Sequence, residues 1–205
     1  ALVLTVDAPT SGIRDRERRA AFRLPPGIGP VNLAGLQPAP APQLQPGQSA
    51  LFDGLLHQAP TWDDIAWLRS ITRLPVLLKG VLHPADATQA VAAGAAGIIV
   101  SNPGGRPHAT APPTAVALPR VAQAVAGAVP VLVDGGIRRG SDVLKAMALG
   151  ASAVLVGRPA VHGLAHAGAA GVAHVLRLLR DELEVAMALT GCKTLADAPA
   201  ALSAD

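Results

Sequence analysis

The chain has 205 residues, half of them apolar and 15% charged, with one cysteine, no tyrosine and a formal net charge of +3. That is enough apolar material for one well-buried domain or most of a larger one, while its longest apolar stretches, residues 95–100 and 154–156, are far shorter than the roughly 20 residues that cross a bilayer. The lone Cys192 cannot form an internal disulfide, and the basic run from Arg14 to Arg19 is interrupted by Asp15 and Glu17. Without aromatic residues between the charges, such a run does not make a nucleic-acid-binding face, and the expected setting is cytoplasmic.

Taken in chain order, the first expected strand is Leu2 to Val6. The start ALVLTVDAP opens directly on it, with no Met, basic leader or cleavage site, and reads as an interior piece of a longer protein. Residues 25–60, rich in Pro, Gln and Gly, lack periodicity and read as a long excursion of the kind barrel enzymes use as a lid. A helix from Trp62 to Ile71 follows, with Thr61 as its N-cap and Asp63 and Asp64 in its first turn. Next come a strand at Val76–Leu78, a helix at Pro84–Ala93 after a capping or surface His83, and a strand at Gly97–Val100. A helix at Pro113–Ala126, a strand at Val131–Val133 and a helix at Gly140–Leu149, capped by Gly140 or Ser141 before Asp142, lead to a strand at Ala153–Val156. A long helix from about Gly168 to Thr190 closes the pattern.

Continuous apolar runs that alternate with helices are the mark of buried parallel strands in βα units, so the class is α/β. The endings AAGAAGIIV and ALGASAVLV repeat the same helix-to-strand hand-over. They suggest the C-terminal five units of a (β/α)₈ barrel, with about three units upstream or supplied by another chain. A doubly wound open sheet is the alternative.

In a barrel the chemistry gathers where the strands end. Those ends read Thr5-Val6-Asp7, Lys79-Gly80, Ser101-Asn102, Asp134-Gly135-Gly136 and Gly157-Arg158, each polar or glycine-bearing. A lysine that finishes an apolar strand is costly to bury unless it meets an anion. In VDGGIRRG, Asp134 can accept from hydroxyl groups, Gly135 and Gly136 admit a phosphate to the backbone, and Arg138 can neutralise it; VGRP, with Gly157 and Arg158, completes a barrel phosphate site. The histidines at 57, 83, 162, 166 and 174 have no metal-ligand spacing, so no metal is expected.

The strings WDDIAWLRSITRLPVLLKGVL, AGAAGIIVSN, VPVLVDGGIRRGSDVLKAMALGA and GRP resemble the FMN-dependent 2-hydroxy acid oxidases and dehydrogenases, a family that includes glycolate, lactate and mandelate enzymes. The resemblance spans residues 1–195 and is weakest over 25–60. It implies FMN as cofactor, with Thr5, Lys79 and Ser101 touching the flavin and Asp134, Gly135, Gly136, Ile137, Arg138, Gly157 and Arg158 holding ribityl and phosphate. It also implies a small (S)-2-hydroxy carboxylate substrate clamped by Arg14 and Arg106, and a homo-oligomeric assembly. Asp7 matches the acid that orients the family's catalytic histidine, but that histidine's own position is Pro103. A missing general base removes a factor of roughly 10²–10⁴ in rate. His108 is a candidate substitute, although Pro107-His108-Ala109 also replaces an acidic residue of the family. Three expectations follow: an oxidoreductase, a degenerate FMN-binding barrel segment, or a flavin enzyme that needs no histidine here.

Overall fold

The computed structural model describes residues 1–10, 12, 14–37, 43–56 and 59–201. His57 therefore lies outside the described residues. The chain divides into a larger unit, residues 1–8 and 61–205, and a smaller one, residues 9–60.

The larger unit begins with strand β1 (Leu2–Thr5). In the smaller unit lies a short helix, α1 (Asp15–Arg19), and the larger unit resumes with α2 (Trp62–Ile71) and β2 (Val76–Lys79). Then come α3 (Pro84–Ala92), β3 (Gly97–Val100), α4 (Thr114–Val125), β4 (Val131–Val133), α5 (Gly140–Ala148), β5 (Ala153–Val154) and α6 (Arg158–Leu189). All strand pairs are parallel, and the spatial order β1-β2-β3-β4-β5 is the order in sequence. A doubly wound sheet reverses its order at a switch point. This one never does, so the order is that of a barrel wall.

Continuous apolar runs give strands covered on both faces. Every residue of β3 is buried, whereas β1, at one edge, alternates between half-buried and exposed. The core joins Leu78, Ile98 and Val100 of the sheet to Ile65 of α2, Ala87 and Ala90 of α3, and Ala117, Leu118 and Val121 of α4. Each fully buried aliphatic side chain of this size contributes about 1.5–3 kcal/mol.

Helix ends follow the local chemistry. At α2, the Thr61 backbone N–H and Oγ1 donate to Asp64 Oδ2 at 2.6 and 2.9 Å. His83 caps α3 by accepting from the Ala85 N–H at Nδ1, 3.2 Å away. Gly94 and Gly150, with φ of +88° and +101°, close α3 and α5 in the left-handed conformation that glycine adopts freely.

Three expectations need correction. Helix α5 is capped at Arg139 rather than at Gly140 or Ser141, because the Asp142 carboxylate accepts from the Arg138 and Arg139 N–H groups, each at 3.0 Å. Gly140 is instead pressed against the backbone of α6, its N–H donating to Glu182 at 2.9 Å. Strand β5 is only two residues long, and α6 starts at Arg158, ten residues before the expected Gly168. The helix breaks at Ala167 and Gly168, and its two parts meet through the backbones of Gly163 and Gly171, which is why a glycine-rich stretch without helical periodicity is helical.

The smaller unit holds α1, a 3₁₀ turn at Val31–Leu33 and a π-helical turn at Ala50–Leu55, with no strand among its described residues. Ser49 caps the π-helical turn by accepting from the Leu51 and Phe52 N–H groups. Phe22, Leu24, Ile28 and Val31 are exposed in it. Among the described residues, no helix of the chain is long and apolar enough to cross a membrane.

Candidate functional site

The strand ends of the larger unit border a cavity of about 770 Å³. Lys79 enters it from β2; Pro103, Gly104 and Arg106 from the turn after β3; and Asp134, Gly135, Gly136, Ile137 and Arg138 from the turn after β4. Leu155, Gly157 and the start of α6, from Arg158 to His162, complete the wall.

Lys79 donates to Ser101 Oγ at 2.7 Å and forms an ion pair with Asp134 Oδ2 at 3.0 Å. Both charged side chains are about four-fifths buried, and Ser101 is wholly so. Pairing offsets what an isolated buried ammonium would cost. Asp134 Oδ1 is also buried but has no hydrogen-bond partner among the described residues. It is an acceptor waiting for a donor.

With Asp134 committed to Lys79, the other charged groups on the wall are Arg106, Arg138 and Arg158. None of the three has a carboxylate partner among the described residues. Arg158 reaches only the Gly104 carbonyl, at 3.3 Å. Gly135 and Gly136 both have positive φ, +86° and +81°, and the space beside Gly136 and Gly157 is open to 4 Å around a notional Cβ. Three guanidiniums around an open glycine-lined hollow suit an anion, above all a phosphate or carboxylate.

The turn after β3 is held differently. Asn102 accepts from the Gly104 N–H at 3.0 Å through its side-chain oxygen and donates to the Pro112 carbonyl at 3.1 Å through its amide. That arrangement carries the backbone through positive φ at Pro103 (+26°), Gly104 (+69°) and Gly105 (+73°). The proline ring favours φ near −65°, so Pro103 sits in a path that its ring resists.

Asp7 follows β1, where the Val6 N–H donates to the Lys79 carbonyl at 2.9 Å. Its carboxyl packs directly onto Gly80, leaving no room for a Cβ there. Both carboxylate oxygens are buried and lack a partner among the described residues. Burial pushes the Asp7 carboxyl above the usual carboxylate range; the nearby Lys79 charge works against that, and Asp134 adds to it.

Most of the residues singled out from the sequence thus share one wall: Lys79, Pro103, Arg106, Asp134 to Arg138, Gly157 and Arg158. Ser101 stands behind Lys79, and Thr5 pairs with Lys79 in the sheet register without lining the cavity. Arg14 belongs to the smaller unit, where it pairs with Glu17 at 3.2 Å. His108 is not on the wall, and its ring is bonded to Thr110 Oγ1 at 2.9 Å. Among the described residues no cluster of His, Cys, Asp or Glu could hold a metal ion. His162 is the notable lining residue that sequence reasoning passed over; its spacing of four from Arg158 was the available signal, hidden because α6 was expected to start later.

A barrel-ordered parallel sheet whose strand ends gather paired and unpaired cations around a glycine-lined hollow defines a (β/α)-barrel protein with its candidate site at the strand ends. The chain belongs to the FMN-dependent dehydrogenase family, whose profile matches residues 1–204, and FMN is the cofactor of that family. It is 59% identical over 197 residues to an L-lactate oxidase of Roseobacter sp. (strain GAI101), covering 96% of this chain and 53% of that protein. Glycolate oxidase 1 of Zea mays is 50% identical over 198 residues, covering 96% and 54%. The crystal structure of mandelate oxidase with (S)-2-phenylpropionate superposes with a TM-score of 0.79 at 45% identity, over 96% of this chain and 52% of that one. A mandelate oxidase variant solved with a C4a-OH-FMN adduct matches equally, with a TM-score of 0.79. The chain therefore spans about half the length of the relatives it matches, and its sheet corresponds to the C-terminal part of their (β/α)₈ barrel.

Proposed function

We propose that this chain is the flavin-holding part of an FMN-dependent oxidoreductase of (S)-2-hydroxy acids, and that it binds cofactor and substrate far better than it oxidises. FMN, when bound, would supply the two-electron acceptor. The residues present suit it: Arg138 and Arg158 for the phosphate, the unsatisfied Asp134 Oδ1 for a ribityl hydroxyl, and Lys79 for the electron-rich edge of the ring. Arg106, and by family resemblance Arg14, would clamp the substrate carboxylate and orient its Cα–H. Three further βα units, from the same polypeptide or another, would complete the barrel, and a homo-oligomer is the expected assembly.

The single observation behind slow oxidation is Pro103 on the cavity wall, at the position where family resemblance expects the histidine base. Oxidation of a hydroxy acid needs a group to take the hydroxyl proton, and proline offers none. The test is anaerobic flavin reduction by glycolate, lactate and mandelate, using the protein as its gene encodes it, with Pro103→His alongside. Bleaching at least about 10²-fold faster in the variant is expected; equal rates would overturn the proposal. The three unpaired guanidiniums favour a second reading, turnover through another acid–base group, which equal and rapid rates would support.

A further inference from the structure

We propose that His162 is a proton-dependent contact for the phosphate monoester of the cofactor, so that FMN affinity rises as this imidazole gains a proton. The proposal rests on the reading of Arg138 and Arg158 as the phosphate end of the cavity.

His162 lies four residues after Arg158 on α6, and both line the cavity. Residues spaced i, i+4 share a helix face. Helical side chains also lean back toward the helix start, so the imidazole inclines toward Arg158 and the open space beside Gly157. His83 and His108 each spend a ring nitrogen on a neighbour. His162 has no such bond among the described residues and is exposed to the cavity.

The charges around it point the same way. Facing the cavity are Lys79 from β2, Arg106 from the turn after β3, Asp134 and Arg138 from the turn after β4, and Arg158 from α6 itself. Asp134 is paired with Lys79, which leaves guanidiniums as the unpaired charges. A phosphate dianion among them favours the charged form of an imidazole, the side chain whose charge changes between about pH 5 and 8. Linkage then requires that protonation of His162 strengthen phosphate binding by the same factor that phosphate strengthens protonation.

The experiment measures FMN and riboflavin affinity by flavin fluorescence between pH 5.5 and 8.5 (chosen to bracket the histidine range), for the protein as encoded and for His162→Gln. The second ionisation of a phosphate monoester, near pH 6, is common to both proteins; the His162→Gln profile reads its effect on the other contacts, and the ratio isolates the contact of His162. The FMN affinity ratio of unmodified to variant protein should fall by about tenfold from the acid to the alkaline end, the size of one charge-assisted contact. For riboflavin the ratio should stay flat. Calorimetry in two buffers of different ionisation heat should also find proton uptake on FMN binding that His162→Gln lacks. A flat FMN ratio with unchanged proton uptake would overturn the role of His162. FMN binding no tighter than riboflavin in either protein would instead overturn the phosphate reading itself.

Discussion

The two neighbouring turns on the cavity wall, one after β4 and one after β3, are equipped unequally. The first has consecutive left-handed glycines and Arg138, with the Gly157-Arg158 pair and His162 on the same cavity wall, all of which suit an anion, and Asp134, which is paired with Lys79. The second holds Pro103 in a backbone path that proline resists, and the Asp7 carboxyl after β1 has no donor among the described residues. On the proposed reading, the phosphate contacts and the base position belong to separate turns on separate strands, so one can be altered without the other.

That contrast can be broken most directly at position 103. Pro103→His should raise the rate of flavin reduction by roughly 10²–10⁴, read by stopped-flow bleaching with the panel of hydroxy acids. The same substitution relieves the ring constraint at a φ of +26°, so its melting temperature should not fall. From the other side, Arg138→Ala combined with Arg158→Ala removes two charged contacts of about 1.5–3 kcal/mol each. FMN affinity should drop by at least about 10²-fold, with riboflavin affinity nearly unchanged, in a fluorescence titration.

Smaller effects sharpen the picture around Asp7. Gly80 has a φ of +108° and no room for a Cβ against the Asp7 carboxyl. Gly80→Ala should cost about 2–4 kcal/mol through strain and overpacking, visible as a lower denaturation midpoint. Asp7→Asn should do the opposite at neutral pH. Because burial raises the folded-state carboxyl above its ordinary value of 3.8, the unfolded chain releases that proton first as pH rises. Native stability is lost through the window from 3.8 upward to the raised folded value, and is present below it. Thermal melts across that range should therefore find Asp7→Asn gaining on the unmodified protein as pH increases. In the Pro103→His background, where an imidazole can donate to Asp7, that advantage should shrink or reverse.

Much of this was legible along the chain, for local reasons. Runs such as GIIV and VLV are apolar at every position, which only strands covered on both faces tolerate, and Gly94 and Gly150 mark helix ends by a conformation that glycine adopts freely. The strand-end rule then brought Lys79, Asp134, Arg138 and Arg158 together before any coordinates. Less legible were features that depend on contacts far apart in sequence. Helix α6 extends back to Arg158 through glycines whose backbones touch, an arrangement without periodicity, and that extension is what carries His162 to the cavity. The cap at Arg139 depends on Glu182, which takes the Gly140 N–H. The pairing of Lys79 with Asp134 rather than Asp7 follows from the parallel register of β2, β3 and β4. By itself the sequence determined the strands, their polar ends and the proline at position 103, because each is written in adjacent residues. The tertiary structure alone decided which charges neutralise one another, which carboxyl is left without a donor and which histidine meets the cavity, because those outcomes depend on how separate strands and helices are brought side by side.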